Sequence, residues 1–340
     1  MAYDFGKEFN ETPHARMVAK KFKTDHHEFF VTQEAFKNFI PEFIRFMDEP
    51  VTEAAAISLY FISKLAKEHV TVVLSGEGSD EIFAGYDFYR YMGVLDTWHR
   101  LVGKGLGRNI SKLANAVLPR GNKLGKYLSL GSLPLEKRYK GISTYDRGIK
   151  KALYRTQFLH HVLGSGPEAR NQSYKRSLFE KSRGWHALNR MLFFDTKTWL
   201  VDDLLIKADR MSMAASQELR VPFLDYRLVE FAARLPVHYK IKGRSGKYLL
   251  KEMMADVLPP QIIHRKKMGF PTPLKFMFQQ ALADYAREVL TDSSCMLHRY
   301  FNAGVMEGLV QDHIKKKQDH HRVIWQLMVL EIWMQTWMKN

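Results

Sequence analysis

The sequence has little cysteine and no long hydrophobic run, and both absences limit where the chain can act. Its single cysteine, Cys295, cannot form an internal disulfide, which favours a reducing compartment. Charged residues interrupt every apolar stretch, including Val323 to Trp333, before it reaches the roughly 20 residues that a membrane helix needs. The first residues also lack the basic and apolar segments of a signal peptide. We therefore expect a cytoplasmic protein with no membrane partner.

Acidic residues are scarce relative to basic ones. The 52 lysines and arginines outnumber the 36 aspartates and glutamates, which gives a formal net charge of +16. No acidic residue lies between Asp96 and Glu136, whereas seven lysines and arginines do. Such a run can attract polyanions, but it lacks the interleaved aromatic residues of single-strand binders. We expect no nucleic-acid partner and interpret the run as a solvated face beside an acidic or phosphorylated ligand.

The first hundred residues alternate between helix and strand patterns. Apolar residues at three- and four-residue spacing predict an amphipathic helix over 33–47, and a second helix is predicted over about 54–66. Residues 27–32 are predicted to form a strand. Residues 71–74 have the pattern of a short strand buried on both faces of a parallel sheet. Strands separated by helices predict an α/β fold whose ligands bind beyond the carboxyl ends of the strands.

The motif LSGEGSDEIFAGY, residues 74–86, directly follows the last of these strands. Its glycines let backbone N–H groups approach an anion, and a helix that begins near Ser79 would point its positive end there. The carboxylates of the motif would repel a phosphate unless a cation intervened. Asp80 as a Mg²⁺ ligand, with Glu77 as a base or as a group that orients an ammonium, would resolve this conflict. The alternative is a capped turn in which Ser75 and Asp80 serve only the backbone.

Two further segments concentrate charge. The pattern of residues 202–225, DDLLIKADRMSMAASQELRVPFLD, is helical and includes the charged residues Lys207, Arg210, Glu218 and Arg220. These charges either serve a functional site or pair with one another as a structural ion network. Residues 263–271, IHRKKMGFP, predict a stiff basic loop. Such a loop can hold a lysine against developing phosphate charge, or it can be a solvated turn.

Together, and in this order, the three segments resemble the synthetase domain of the glutamine-hydrolysing asparagine synthetase family and of its relatives such as β-lactam synthetase. GKEFNETPHARMVAKKF, HHEFFVT and WQLMVLEIWMQTW resemble it too, so the likeness covers nearly the whole chain. The resemblance implies an adenine-nucleotide α-hydrolase-like (ATP pyrophosphatase) parallel sheet, truncated at its N-terminus, over residues 1–95. Residues 96–340 would be a mostly helical continuation of the same domain.

The resemblance also implies an ATP-dependent carbon–nitrogen ligase. In this family ATP and Mg²⁺ activate the side-chain carboxylate of aspartate as an adenylate, which ammonia attacks to give asparagine, AMP and pyrophosphate. Carried over position by position, the family motifs assign two catalytic residues, four ATP-binding residues and one metal ligand. These are, respectively, Glu77 and Lys267; Phe5, Ser75, Gly76 and Arg210; and Asp80.

Two family features are missing from the sequence. Residue 2 is Ala2 where the family has a nucleophilic cysteine that hydrolyses glutamine, so we expect ammonia from another source, such as a separate glutaminase. The SGGxDS pyrophosphate loop is missing as well. We therefore expect the downstream piece of a split or interrupted synthetase gene, incomplete alone, with an upstream partner and with the apolar face of residues 70–74 exposed.

Two alternatives remain open at the level of sequence. The acceptor can be another carboxylate, such as a cell-envelope or secondary-metabolite precursor. Alternatively, the chain is an inactive fragment that binds a partner through its basic face.

Overall fold

The chain forms a mostly helical structure with small sheets. The computed structural model describes residues 2–3, 10–103, 105–107, 109–110, 113, 122–141, 147–164, 167–265, 269 and 272–338. Within these ranges, no helix combines the length and the apolar character that crossing a membrane requires.

Six short strands form three two-stranded sheets among the described residues. They are β1 (Ala2–Tyr3), β2 (Phe30–Val31), β3 (Val72–Leu74), β4 (Glu218–Arg220), β5 (Ile241–Lys242) and β6 (Ser245–Gly246). β1 pairs with β2 and β3 pairs with β4, both in parallel, whereas β5 and β6 form an antiparallel hairpin.

The helices are numbered in chain order. They are α1 (Thr12–Phe22), α2 (Gln33–Met47), α3 (Ala55–Lys67), α4 (Ser79–Phe83), α5 (Asp87–Val102), α6 (Lys123–Gly131), α7 (Leu135–Arg138), α8 (Arg147–Leu153), α9 (Thr156–Gly164), α10 (Pro167–Lys181), α11 (Ala187–Thr196), α12 (Ile206–Ala214), α13 (Tyr226–Arg234), α14 (Val237–Lys240), α15 (Tyr248–Met253), α16 (Pro260–Ile263), α17 (Leu274–Met277), α18 (Ala283–Thr291), α19 (Ala303–Ile314) and α20 (His321–Trp337).

The predicted helix over residues 33–47 is confirmed, and its ends have clear local causes. The Thr32 side chain accepts a hydrogen bond from the Ala35 N–H at the first turn. Asp48 ends the helix with a left-handed backbone, at φ 58°. The apolar face is buried, and Phe36 and Phe43 on that face contact Trp325 of α20. The spacing of apolar residues therefore predicts both the helix and the face that it buries.

The predicted parallel sheet is confirmed only in part. The pairings of β1 with β2 and of β3 with β4 are parallel, but in the described part of the chain they do not join into one sheet. The strands are two or three residues long, and β3 pairs with β4 alone among the described strands. Val72 is 39% exposed and Leu74 is 72% exposed, although both are apolar. The prediction that residues 71–74 are buried on both faces is therefore wrong, whereas the exposure agrees with the uncovered apolar face expected for residues 70–74.

The helical interpretation of residues 202–225 is wrong beyond Ala214. A π-helical turn over Leu200–Leu205 precedes α12, which ends before Glu218 and Arg220. Ser216 has a left-handed backbone at φ 54°, which turns the chain away from the helix axis. The Glu218 and Arg220 residues then form β4 beside β3, with Val72 opposite Glu218 and Leu74 opposite Arg220.

Two large apolar clusters stabilise the fold. The first joins α2, α3 and the C-terminal helices, and the Trp325 Nε1–H donates a hydrogen bond to the Thr52 carbonyl across it at 2.8 Å. The second joins α5, α7, α10 and α11 around Tyr89, Tyr139 and Met191. The predicted division near residue 95 remains a prediction. β4, which comes after that division in the sequence, pairs with β3, the strand that precedes the first motif.

Candidate functional site

The loop after β3 is shaped by its contacts with the segment that contains β4. The Ser75 N–H donates to the Arg220 carbonyl at 2.8 Å and so continues the strand pairing into the loop. Gly78 has φ +84°, and a Cβ there would lie 2.3 Å from a methyl of Leu224. Both the conformation and the close contact require glycine. The first two sequence motifs therefore form one structural unit.

The short helix α4 presents Ser79 and Asp80 to a lysine from a distant part of the chain. The Lys247 Nζ donates to the Ser79 Oγ at 2.8 Å and forms an ion pair with the Asp80 Oδ1 at 2.9 Å. Two glycines permit this approach. A Cβ on Gly85 would lie 1.8 Å from the Asp80 Oδ1, and a Cβ on Gly246 would lie 2.4 Å from the Ala84 carbonyl oxygen. Sequence analysis missed Lys247, because 168 residues separate it from Ser79.

Glu77 lies beside a buried lysine of α12. The Lys207 Nζ is 3.9 Å from the Glu77 Oε1, and Lys207 is only 8% exposed. The Glu77 Oε2 is buried and has no hydrogen-bond partner among the described residues. Burial raises the pKa of Glu77 and Glu81 raises it further, while the Lys207 charge opposes this rise. Glu77 is thus a carboxylate that can hold an amine or accept a proton.

Asp203, in the π-helical turn, adds a second perturbed carboxylate near Lys207. Burial and the Glu53 charge raise the pKa of Asp203 to about 6, and the Lys207 charge opposes them. The Asp203 Oδ2 is buried without a hydrogen-bond partner in the described part of the chain. Sequence analysis did not select Asp203, although the acidic pair at 202 and 203 was visible in the second motif.

The structure brings some predicted site residues together and separates others. Ser75, Gly76, Glu77 and Asp80 follow β3 in one loop and helix turn. Arg210 instead forms an ion pair with Asp48, at the end of α2, with 2.6 Å between Nη1 and Oδ2. It is Lys207, one turn earlier on α12, that reaches Glu77. The remaining two, Phe5 and Lys267, lie outside the described residues, and the assigned roles stay predictions.

The described residues do not form a metal centre by themselves. Nowhere in the described ranges do three or more His, Cys, Asp or Glu side chains cluster as metal ligands. The predicted ligand, Asp80, is neutralised by the Lys247 ammonium in this arrangement. Mg²⁺ is commonly held by one or two carboxylates together with substrate phosphates, and here Asp80 would share its charge between Mg²⁺ and Lys247. Magnesium therefore remains a prediction from the sequence.

A cavity of about 880 Å³ opens beside Asp80. It is lined by Asp80 of α4, by the β5–β6 hairpin and by residues 262–265, which include the first cation of the basic run that contains Lys267. A cavity of this volume is within the range of small-molecule sites. The structure thus places the first and third sequence motifs at one cavity.

Comparison with known proteins decides the family. The family model described as asparagine synthase matches residues 1–339. The chain belongs to the asparagine synthase family. This family comprises ATP-dependent ligases that make asparagine.

The curated relatives extend well beyond this chain. Asparagine synthetase [glutamine-hydrolyzing] 1 of Bacillus subtilis is 33% identical over 326 residues, which is 96% of this chain and 50% of the relative. A putative asparagine synthetase [glutamine-hydrolyzing] of Mycobacterium tuberculosis is 33% identical over 327 residues, 96% of this chain and 48% of the relative. More distantly, amidase chyE of Penicillium rubens is 24% identical over 296 residues, 78% of this chain and 42% of the relative. The chain spans about half the length of the first two relatives.

Proposed function

We propose that the chain carries the amide-forming site of an asparagine-synthetase-type ligase, with ATP, ammonia and the side-chain carboxylate of aspartate as substrates. The observation that carries the proposal is Glu77, a partly buried carboxylate beside Lys207 in the loop that follows β3. Ligands of open α/β sheets bind at this end of the strands. Membership of the asparagine synthase family supports the same reaction class.

The chemistry divides into two substitutions. A carboxylate oxygen of the acceptor attacks the α-phosphorus of ATP, so the bond to the bridging oxygen breaks and pyrophosphate leaves. Ammonia then attacks the acyl carbon, and AMP leaves with the electron pair of the broken carbon–oxygen bond. The attacking nitrogen must lose a proton, and Glu77 is the group proposed to accept it. Lys207 favours the ionised form of Glu77 and so keeps it able to accept that proton.

Backbone groups near Ser75 and Gly76 are proposed to contact the nucleotide. Among the described residues, a Cβ on Gly76 would have no neighbour within 4 Å, so this part of the structure leaves room at the loop. Lys267 is proposed to stabilise the charge that develops on phosphorus, Phe5 to lie beside the adenine, and Arg210 to lie near the phosphates. For Arg210 this proposal requires it to leave Asp48. Magnesium is proposed to accompany ATP.

A second candidate keeps the reaction and changes the acceptor. Among the distant relatives are two fungal proteins named as amidases, chyE of Penicillium rubens and chry2 of Gibberella zeae. Their names indicate chemistry at an amide bond, and we propose a secondary-metabolite precursor as the alternative acceptor. A cell-envelope precursor with a free carboxylate is a further acceptor of the same chemical class.

The test measures pyrophosphate and amide together. The chain is incubated with ATP, MgCl₂, aspartate and ammonium, alone and with the N-terminal half of the Bacillus subtilis relative added. We expect pyrophosphate and asparagine in the mixed sample, and a loss of about 100-fold or more in E77Q, because a general base contributes about 10²–10⁴-fold. The control E288Q changes an exposed glutamate and should stay within about twofold of the parent chain.

Each outcome of this assay bears on a different part of the proposal. Robust turnover by the chain alone would contradict the expected need for an upstream partner. Pyrophosphate release with another carboxylate, but not with aspartate, would favour the second candidate. Absence of pyrophosphate release from every mixture, with correctly folded protein, would refute the proposed ligase.

A further inference from the structure

His313 is a fully buried histidine near the end of α19, and both of its ring nitrogens bond to the main chain. The Nε2 is 3.1 Å from the Lys275 carbonyl oxygen of α17, which can only accept, so Nε2 carries the proton. The His320 N–H, directly before α20, donates to Nδ1 at 3.1 Å, so Nδ1 carries none. The two partners therefore fix one neutral tautomer of the imidazole.

These two hydrogen bonds form the His313 latch, which joins α19 to α17 and to the start of α20. Between α19 and α20 the chain turns, with Lys316 in a left-handed backbone at φ 58°. The Lys316 N–H donates to the His313 carbonyl at 3.0 Å. Phe278, which follows α17, packs edge-on against the His313 ring, with 6.3 Å between the ring centres. His313 therefore connects α17 with the turn between α19 and α20 through both its ring and its backbone.

Asp319 lies beside the latch and offers a charged imidazole a different partner. Its Oδ1 is 3.5 Å from the His313 Nδ1 and 2.6 Å from the His321 Nδ1. Its Oδ2 is 3.5 Å from the Lys275 Nζ. Burial alone would raise the pKa of Asp319, but hydrogen bonds from His321 and the Lys275 charge hold it at about 2. Asp319 is therefore ionised throughout the pH range in which histidines titrate.

The other elements packed against α19 leave this balance to the latch itself. These elements are α18 and α8. Their described ionisable side chains form no hydrogen bond or ion pair with His313; they are Asp284, Tyr285, Arg287 and Glu288 on α18 and Lys150 and Lys151 on α8. The ionisable groups that face His313 are therefore Asp319, His320, His321 and Lys275.

Protonation of His313 removes one bond of the latch. An imidazolium has two donors and no acceptor, so its Nδ1–H would face another donor, the His320 N–H. Burial lowers the pKa of His313 from 6.5, the Lys275 carbonyl and the Asp319 charge oppose this, and His321 and His320 add to it. The unfolded chain therefore binds the proton more readily than the folded chain. The stability that neutral His313 contributes is present above pH 6.5 and is lost as the pH falls below it.

We propose that His313 is a positioning residue that holds α17 against the start of α20 only while its ring is neutral. When the ring is charged, its Nδ1–H turns to Asp319 and the His320 N–H is released. Lys275 lies eight residues after Lys267 in the sequence, so the latch also holds the chain that leaves the basic loop. The inference rests on the proposed function in this last respect alone, since Lys267 is proposed to stabilise charge on phosphorus.

The test is hydrogen exchange of the full chain at pH 7.5 and pH 5, followed by mass spectrometry and corrected for the intrinsic pH dependence of exchange. In the parent, peptides that contain the His320 amide should exchange about tenfold faster at pH 5, because one buried hydrogen bond is worth about that factor. H313Q keeps a donor for the Lys275 carbonyl but cannot be protonated, so this difference should disappear. The control H160Q changes an exposed histidine of α9 and should behave like the parent.

Nuclear magnetic resonance of ring-labelled histidine gives a second measurement. The His313 signal, assigned by its absence from H313Q, should show the Nε2–H tautomer at pH 7.5 and a titration midpoint below 6.5. D319N removes the charge that favours protonation, so the midpoint should move to still lower pH. Because D319N changes an exposed side chain, it keeps the inference testable if H313Q misfolds.

The latch can fail independently of the proposed ligase, because neither measurement needs a substrate. An equal rise in exchange at pH 5 in H313Q and in the parent would overturn it, as would a His313 ring that titrates at or above pH 6.5.

The pyrophosphate assay of the mixed sample tests the link to Lys267. Between pH 7.5 and pH 6 the rate should fall less in H313Q than in the parent, and equal falls would overturn the positioning role. An intact latch in a chain that releases no pyrophosphate would count against the ligase and leave the pH-dependent contact standing.

Discussion

Asp195 should make the stability of the protein depend on pH in an unusual direction. Its carboxylate is fully buried in the cluster of α5, α7, α10 and α11, where Tyr89 donates to the Oδ2 at 2.6 Å and Tyr139 donates to the same oxygen. Burial raises the pKa of Asp195 to about 7 from 3.8, although both tyrosine hydrogen bonds oppose the rise. The native state therefore holds a proton that the unfolded chain releases near pH 4.

The size of the effect follows from that difference. Three pKa units correspond to about 4 kcal/mol, at about 1.4 kcal/mol per unit. Because the native state binds the extra proton, this contribution is fully present below pH 3.8 and is lost as the pH rises through about 7. D195N cannot titrate. The free energy of unfolding of the parent, minus that of D195N, should fall by most of about 4 kcal/mol between pH 4 and pH 8.

The assay is urea unfolding followed by circular dichroism at several pH values, with Y139F as a second variant. Removing the Tyr139 hydroxyl takes one donor from the Oδ2, so the pKa of Asp195 should rise further. Y139F should cost about 1.5–3 kcal/mol at pH 8, where the acceptor is charged, and about 0.5–1.5 kcal/mol at pH 5. A difference between parent and D195N that stays constant within about 1 kcal/mol from pH 4 to pH 8 would refute the assignment.

Three further predictions concern single contacts. K207Q removes the cation that lowers the pKa of Glu77, so the acid limb of the pH–rate profile for amide formation should move to higher pH. If the acid limb does not move, Glu77 is not the base. G78A places a Cβ against Leu224 at positive φ and should lower stability by about 1–3 kcal/mol more than G243A. The φ at 243 is also positive, +58°, but a Cβ there meets no described residue within 4 Å, so equal melting temperatures of the two variants would contradict the prediction. The Met296 and Leu297 N–H groups each donate to the buried Glu331 carboxylate at 2.9 Å, and E331Q removes one of the two acceptor oxygens. The free energy of unfolding in urea should therefore fall by about 1–3 kcal/mol in E331Q, and by less than about 0.5 kcal/mol in the control E307Q at an exposed site.

The sequence predicted the positions of several helices and strands from the spacing of apolar residues within each segment. The helix over 33–47, the strand that ends at Leu74 and the helix start at Ser79 are all present. The first of these depends on apolar spacing and on a cap within a few residues. The strand predicted over residues 27–32 is reduced to Phe30–Val31. Strand length depends on partners that lie far away in the sequence, and only two residues of β1 pair with it.

Contacts between distant segments could not be read from the sequence. The ion pair of Lys247 with Asp80 and the choice of Lys207 over Arg210 beside Glu77 both depend on how elements pack. Charge patterns marked the right segments, but they could not say which cation of a segment faces which carboxylate. Family resemblance supplied roles for Glu77 and Asp80, whereas it gave no signal for Asp203.

The close fit between the loop after β3 and the Leu224 segment has an evolutionary consequence. The Ser75 N–H bonds to the Arg220 carbonyl, and Gly78 leaves the space that the Leu224 side chain fills. The φ of +84° keeps glycine at 78 whatever residue stands at 224, so the side chain at 224 has to fit a loop that carries no Cβ at this point. Chimaeras between family members should therefore exchange both segments at once, because a crossover between them would join surfaces that were never selected to fit.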